Sequence, residues 1–380
     1  MSGAVDASRR PIRVALVGPS LDILGGQAIV LERLRTRLAA VGELNVSFLP
    51  VNPRLPGPFR QLQTLKYVRT VVTTIAYVVS LFRRLRDADV VHAFSASYWS
   101  FLLAPVPAML VGRLFGKVVI LNYRSGEASD HLAHWRTAVP LMRLAHAIVV
   151  PSGYLVEVFA QFGLRAVPIF NFVESERLPF RLRQSPPRPV FLSNRNLEPL
   201  YNVACTIRAF ARVQREHADA SLVVAGDGSQ RAQLEALVDE LGLTNVRFAG
   251  RTSPAEMPSL YDAADIYLNS PDIDNMPNSI IEAFAAGLPV VTTDAGGIPF
   301  IVRHGDNGLM VRSGDDEALA REALRLLNDP SLAARLAQRA RQECMERYVW
   351  PAVRDAWLAL YAQSRAVDVP PALERRVGAA

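Results

Sequence analysis

The sequence predicts an α/β protein of two doubly wound, Rossmann-like domains, each built on a mainly parallel sheet. Three observations carry this. Short apolar runs alternate with longer helical patterns along the whole chain, the βαβ rhythm of a sheet covered on both faces. A basic, proline-rich stretch, RLRQSPPRP at 181–189, interrupts that rhythm and has the composition of a linker. The length of 380 residues, half of them hydrophobic, suits two domains that each bury a core.

In chain order, 13–17, 45–49, 89–93, 117–122, 147–150 and 166–170 read as buried strands, and 27–40, 62–86, 97–115, 138–144 and 154–162 as the helices between them. After the linker the strands are expected at 189–193, 221–225, 246–249, 266–269 and 288–292. The helices there are expected at 203–215, 231–241, 255–263, 278–286 and 316–327. The predicted division is therefore a first domain over 1–180, the linker 181–189, and a second domain over 190–347. An aromatic-bearing helix follows at 348–363, placed to pack back across the first domain, and then a tail at 364–380 of disordered character.

Composition narrows the setting. Cys205 and Cys344 form neither a metal pattern nor a disulfide framework, which points to a reducing cytoplasm. No apolar run reaches the ~18 residues of a membrane span, and the N-terminus has no apolar signal core. The net charge of +6 is uneven: residues 1–180 carry 20 Lys and Arg against 11 Asp and Glu (+9), and 181–380 carry 22 against 25 (−3). Arg54, Arg60, Lys66, Arg69, Arg83, Arg84 and Arg86 surround the uncharged run 71–82. That pattern fits a core helix with solvated flanks, and it fits a helix lying on an anionic membrane at the inner face of the plasma membrane. No nucleic-acid motif accompanies the charge.

The most informative stretch is Asp274-Asn275-Met276-Pro277-Asn278-Ser279-Ile280-Ile281-Glu282. Pro277 favours a helix start at Asn278 and leaves Asp274 in the preceding loop. A loop carboxylate, free helix amides and a first-turn carboxylate then face one site, which suits a ligand bearing both hydroxyls and phosphate. Glu282 lies in an apolar helix pattern, where a carboxylate is costly to bury unless paired or ligand-bound. Gly25-Gly26, after the first strand, fits a phosphate-binding helix start and equally a plain tight turn. It matches neither Gly-x-Gly-x-x-Gly nor a Walker A loop. Arg195, just past a strand end, can clamp a diphosphate or stand as a surface arginine. Gly226-Asp227-Gly228 can bring backbone close to a ligand or form a simple turn. His131 and His134 have no third partner for a metal nearby in sequence.

Taken together these stretches resemble the GT-B glycosyltransferases of the family 4 type (glycosyl transferases group 1). The match runs through Gly25-Gly26, Ser152, Asn171, Ser193-Asn194-Arg195, Gly226-Asp227-Gly228, Asn245–Gly250, Glu256-Met257-Pro258, Leu260-Tyr261, the 274–282 stretch, Gly296-Gly297-Ile298-Pro299 and Asn307-Gly308-Leu309. The resemblance implies a retaining transferase with a nucleotide-diphosphate-sugar donor, Glu282 on the ribose, and Asp274 with the amides of Asn275, Met276, Asn278 and Ser279 on the donor sugar. It implies no cofactor and no metal. Three departures stand out: the family's Glu-x7-Glu pair is here Asp274 and Glu282; its lysine after the phosphate arginine is replaced within Leu200-Tyr201-Asn202; and its first-domain histidine position holds Arg124. Arg124 is expected to supply the charge of the missing lysine, making Asp274, Arg195 and Arg124 the expected catalytic set. The expected acceptor is a glycan, a lipid-linked sugar or a small molecule, with no nucleic acid involved. A nucleotide-sugar epimerase and a non-catalytic nucleotide-sugar binding protein are the alternatives.

Overall fold

The computed structural model describes residues 10–363 apart from 23–25, 56, 66–67, 182 and 184–186. Gly25, Lys66, much of the 181–189 linker and the 364–380 tail therefore lie outside the described residues. In the first half the elements run β1 (Ile12–Gly18), α1 (Gly26–Ala39), β2 (Leu44–Pro50), α2 (Val68–Arg84), β3 (Val90–Ser95), α3 (Tyr98–Leu103), α4 (Pro105–Leu114) and β4 (Val118–Tyr123). Then come α5 (Ala128–His134), α6 (Ala138–Met142), β5 (Ala147–Val150), α7 (Gly153–Gln161) and β6 (Ala166–Pro168). The second half continues with β7 (Val190–Asn194), α8 (Val203–Glu216), β8 (Ser221–Ala225), α9 (Arg231–Glu240), β9 (Val246–Gly250), α10 (Met257–Ala263) and β10 (Ile266–Asn269). It ends with α11 (Asn278–Ala286), β11 (Val290–Thr293), β12 (Leu309–Val311), α12 (Asp316–Asn328), α13 (Pro330–Arg347) and α14 (Trp350–Gln363).

Two six-stranded sheets result, in the orders β2-β1-β3-β4-β5-β6 and β12-β11-β10-β7-β8-β9. The recorded ladders are parallel, for example Tyr267 opposite both Leu192 of β7 and Val290 of β11. In the first sheet the chain runs from β1 outward to β2 and then returns to β3 on the other side. In the second it runs from β7 through β8 to β9 and then returns to β10. The carboxyl ends of β1 and β3, and of β7 and β10, are thus the switch points at which doubly wound sheets open a crevice. By packing, the chain falls into two units. One holds the described residues up to Arg124, Leu132–Val149 and those from Arg354 onward; the other holds Ser125–His131 and Val150–Val353.

The second sheet shows why its strands are apolar on both faces. Phe191, Leu222, Val224, Ile266 and Leu268 pack beneath α8, α9 and α12, and their neighbours Leu192, Tyr267 and Val290 pack with α11 and α13 on the opposite side. Caps set the helix ends. Pro277 precedes α11 at φ −65°, and Gly287 ends it in the left-handed region at φ +78°. Asp329 accepts from the Leu332 amide at 2.9 Å with Pro330 opening α13.

Several predicted elements change. The helix expected at 62–86 resolves into a 3-10 turn (Gly57–Thr64), α2 and a second 3-10 turn (Leu85–Asp87). The helix expected at 97–115 breaks at Ala104, which has distorted helical angles (φ −106°, ψ −75°), because Pro105 donates no amide to continue the ladder. The strand at 166–170 stops at Pro168. Helix α5, helix α13 and the short strand β12 go unpredicted.

Candidate functional site

Within the second unit, Arg195 follows β7 and the loop bearing Asp274 follows β10, so adjacency of these two strands brings the two side chains together. Arg195 Nη2 donates to Asp274 Oδ2 at 2.5 Å and Nη1 donates to Ser279 Oγ at 3.1 Å. Its guanidinium lies 4.1 Å from the Tyr201 ring centroid, a cation–π contact. Burial by itself would weaken this cation, but the Asp274 carboxylate and the neighbouring tyrosines hold its pKa above the ordinary arginine value. Tyr201 stands within the segment that replaces the family's lysine, and it serves Arg195 by stacking.

The loop before α11 is held from several directions within this unit. Ser152 Oγ donates to Asn275 Oδ1, and Asn171 Nδ2 donates to the Met276 carbonyl at 2.9 Å. The Asn275 amide donates to Asp274 Oδ1 at 2.8 Å. Pro277, at the cap position of α11, has no side chain that could accept from the first amides of the helix. Arg195 Nε, Asn275 Nδ2 and Asn278 Oδ1 are buried with no partner among the described residues. Orphaned buried donors and acceptors around a helix start need a ligand or solvent to satisfy them.

Glu282, 9% exposed, opens the second turn of α11 and not the first as expected, because it lies four residues after Asn278, and it accepts from Tyr261 Oη at 2.9 Å. Tyr261 Oη in turn accepts from Asn194 Nδ2 at 2.9 Å. Burial, reinforced by the Glu282 charge, raises the Tyr261 pKa well above the ordinary value and keeps the phenol a donor. No spacing rule links Tyr261 and Asn194 to Glu282, which lies 21 residues beyond Tyr261, so the sequence assigns them no role.

The glycines of this edge are required by the protein's own backbone. A Cβ on Gly226, at φ +141°, would stand 1.9 Å from the Arg195 carbonyl oxygen, and one on Gly228 would stand 2.5 Å from that of Leu197. A Cβ on Gly296, at φ +52°, would stand 2.1 Å from the Asp274 carbonyl oxygen, and the Gly297 amide donates to that same oxygen at 3.1 Å. Gly296→Ala is therefore expected to destabilise the protein by more than the ~1–2 kcal/mol that left-handed backbone alone costs an L-residue. A thermal melt of the variant checks this, and a melting temperature equal to that of the parent would contradict it.

Arg124 and Gly26 belong to the first unit. Gly26 opens α1, and the next residue, Gln27, donates from Nε2 to the Ser95 carbonyl at 2.8 Å, at the β1–β3 switch point. Arg124 follows β4; its amide donates to the same Ser95 carbonyl and its Nη1 donates to Asn122 Oδ1 at 3.0 Å. Burial pushes its pKa down to about 9, still cationic at neutral pH, and its Nη2 is buried with no partner among the described residues. Asn122 Nδ2 lies 3.0 Å from His92 Nε2, and His92 Nδ1 lies 2.7 Å from Tyr361 Oη. With Asn122 donating, the His92 proton resides on Nδ1. The imidazole is fully buried and stacked between Phe94 and Trp357, so α14 is tied to the Arg124 loop by a continuous polar chain. Sequence reading missed His92, which lies in the mainly apolar strand β3.

Burial, with a smaller contribution from Arg124, pushes the His92 pKa down to about 3 from 6.5. Between these values the unfolded chain binds a proton that the folded protein refuses. Stability therefore falls as pH drops below about 6.5, by at most about 1.4 kcal/mol per pH unit from this group. His92→Gln is expected to lose that component. Denaturant unfolding of both proteins from pH 7 to 4.5 measures the difference, and parallel pH profiles would contradict it.

Among the described residues no group of three or more His, Cys, Asp or Glu side chains could hold a metal ion. Two parallel six-stranded sheets, each with its own switch point, define a GT-B type α/β protein, and solved structures agree. HepE from Anabaena, determined in complex with UDP-glucose, matches with a TM-score of 0.73 at 19% identity, over 93% of this chain and 100% of that one. Sucrose-phosphate synthase from Thermosynechococcus elongatus matches with a TM-score of 0.74 at 19% identity, over 95% and 100%. The family model for glycosyl transferases group 1 matches residues 174–343. The lipopolysaccharide core biosynthesis glycosyltransferase LpsE of Rhizobium meliloti is 30% identical over 248 residues, covering 63% of this chain and 71% of that protein. The chain belongs to the glycosyl transferases group 1 family.

Proposed function

We propose that this glycosyltransferase is a retaining enzyme of the family 4 type that moves a sugar from a nucleotide-diphosphate donor to a lipid-linked or other glycan acceptor at an anionic membrane surface. The observation that carries the donor part is the buried set Arg195, Asp274, Ser279 and Glu282 around the uncapped start of α11. Arg195 and the first amides of α11 take the charge that develops on the leaving diphosphate, with no metal in that role. Glu282 holds the ribose, and Asp274 with the Asn275–Ser279 segment orients the transferred sugar. On donor binding the phosphate competes with Asp274 for Arg195, so the carboxylate now held by the guanidinium turns to sugar hydroxyls. Retention without a protein nucleophile follows a front-face route in which the leaving phosphate accepts the acceptor's proton. Uridine as the base is supported by the UDP and UDP-glucose in the HepE structures, and a lipid-borne acceptor by the name of LpsE.

A panel of nucleotide sugars tests the donor. One that binds the folded protein raises its melting temperature, by about 2.7 kcal/mol of stabilisation at a hundredfold excess over Kd. Transfer to extracted lipid or glycan, with the product anomer read by NMR, tests the reaction. No thermal shift with any nucleotide sugar would defeat the donor assignment, and an inverted anomer would defeat retention. Epimerised free donor, or tight binding without turnover, would instead favour the alternatives. Arg124→Ala is expected to lower turnover through lost charge; unchanged turnover and donor affinity would remove Arg124 from the catalytic set.

A further inference from the structure

Helix α2 has two apolar faces, and its own domain uses one. Tyr77 and Leu81 are fully buried, with Tyr77 Oη donating to the Ala104 carbonyl at 2.6 Å. Val68, Val71, Ile75, Val79 and Phe82 are 39–59% exposed. Their spacing of three, four, four and three residues confines them to an arc of about 80° on the far side of the helix. An ordinary surface helix carries polar side chains there, and this one has no charge from 71 to 82.

The neighbouring helix extends the feature. Helix α4 packs against α2, with Phe82 edge-on to Phe115 at 5.8 Å, and it exposes Leu110 and Leu114, one turn apart. Exposed Arg69 and Arg83 flank the α2 stripe, and exposed Arg86 stacks on Phe115 beside Phe82; Arg84 lies on the opposite side of the helix and donates to the Phe48 carbonyl of β2, and neither α2 nor α4 contains an acidic residue. No helix of the described residues is long and apolar enough to cross a membrane.

We infer that this α2–α4 face docks on an anionic lipid bilayer, with α2 lying in the headgroup plane. This names the surface for the membrane-adjacent acceptor proposed above and rests on that reading only for its purpose. The chemistry selects the occupant. The apolar stripe matches the acyl boundary, and the flanking arginines match phosphate headgroups, each multiplying binding about fivefold near an anionic leaflet. A second copy of the chain fits poorly, since neither helix offers an acidic side chain to meet a partner's arginines.

The test uses the full chain and vesicles of phosphatidylcholine with or without phosphatidylglycerol, at low and high salt. The parent protein is expected to co-sediment with the anionic vesicles and to release in high salt. Ile75→Glu with Val79→Glu is expected to lower binding at least tenfold. Arg83→Ser with Arg86→Ser is expected to weaken binding and flatten its salt dependence. All four positions are exposed, so melting temperatures should hold; if the glutamate variant melts early, the serine variant decides. No binding by the parent at low salt, or equal binding by parent and variants, would overturn the inference. So would a parent dimer that the glutamate pair makes monomeric, which would identify a contact between copies. The thermal shift by donor, read in the same variants, is expected to persist; its absence in the parent would count against the transferase reading and leave this face untouched.

Discussion

Arg195→Ala is expected to lower turnover about a hundred- to a thousandfold, the scale of losing one preorganised group that stabilises developing charge. The guanidinium is the buried cation at the start of α11, joined to Asp274 and Ser279 and stacked on Tyr201. The substitution also strands Asp274, and breaking a buried pair costs about 3–5 kcal/mol. The variant should therefore melt early, and its rates must be measured well below that transition. Arg195→Lys separates charge from geometry, since lysine keeps the cation but not the planar fork or the stacking. The ratio kcat/KM with saturating acceptor is the readout. A rate within a few-fold of the parent in the alanine variant would remove Arg195 from the chemistry.

Glu282→Ala is expected to raise the donor KM about 10- to 100-fold with a much smaller change in kcat. A hydrogen bond to a charged group contributes roughly 1.5–3 kcal/mol, and a ribose contact made equally in ground and transition states affects binding alone. Glu282 is buried and already oriented by Tyr261, so its carboxylate is preorganised before the donor arrives. Glu282→Gln keeps an acceptor for Tyr261 and should lose less. Tyr261→Phe should fall between the parent and the alanine variant, because it frees the carboxylate to rotate. A loss confined to kcat would move Glu282 from ribose binding to the chemical step.

The local grammar of the fold is legible in the sequence. The bounds of α11, 278–286, follow from Pro277, whose ring sets φ before the helix, and from Gly287, which alone tolerates the left-handed turn after it. The split of α3 from α4 was equally readable at Pro105, and α13 was announced by Asp329-Pro330, a cap followed by a favoured first residue. Both signals are local, yet the expected elements include neither the break before Pro105 nor a helix over 330–347. Gly226 shows the opposite case. Its presence is visible in sequence, but its cause is the Arg195 carbonyl, 31 residues earlier, and no local pattern reveals that approach.

The period of each element, many turns, the uneven charge and the polar residues inside apolar helices are all readable along the chain. These depend on interactions within a few residues, so they are written locally. Which of those residues meet depends on how the strands and helices are assembled. Asp274 reaches Arg195 across 79 residues because β10 lies beside β7, and His92 reaches Tyr361 across 269 because α14 packs on the first sheet. Strand order and helix docking follow from burying apolar faces throughout the domain, a collective balance that no single segment carries.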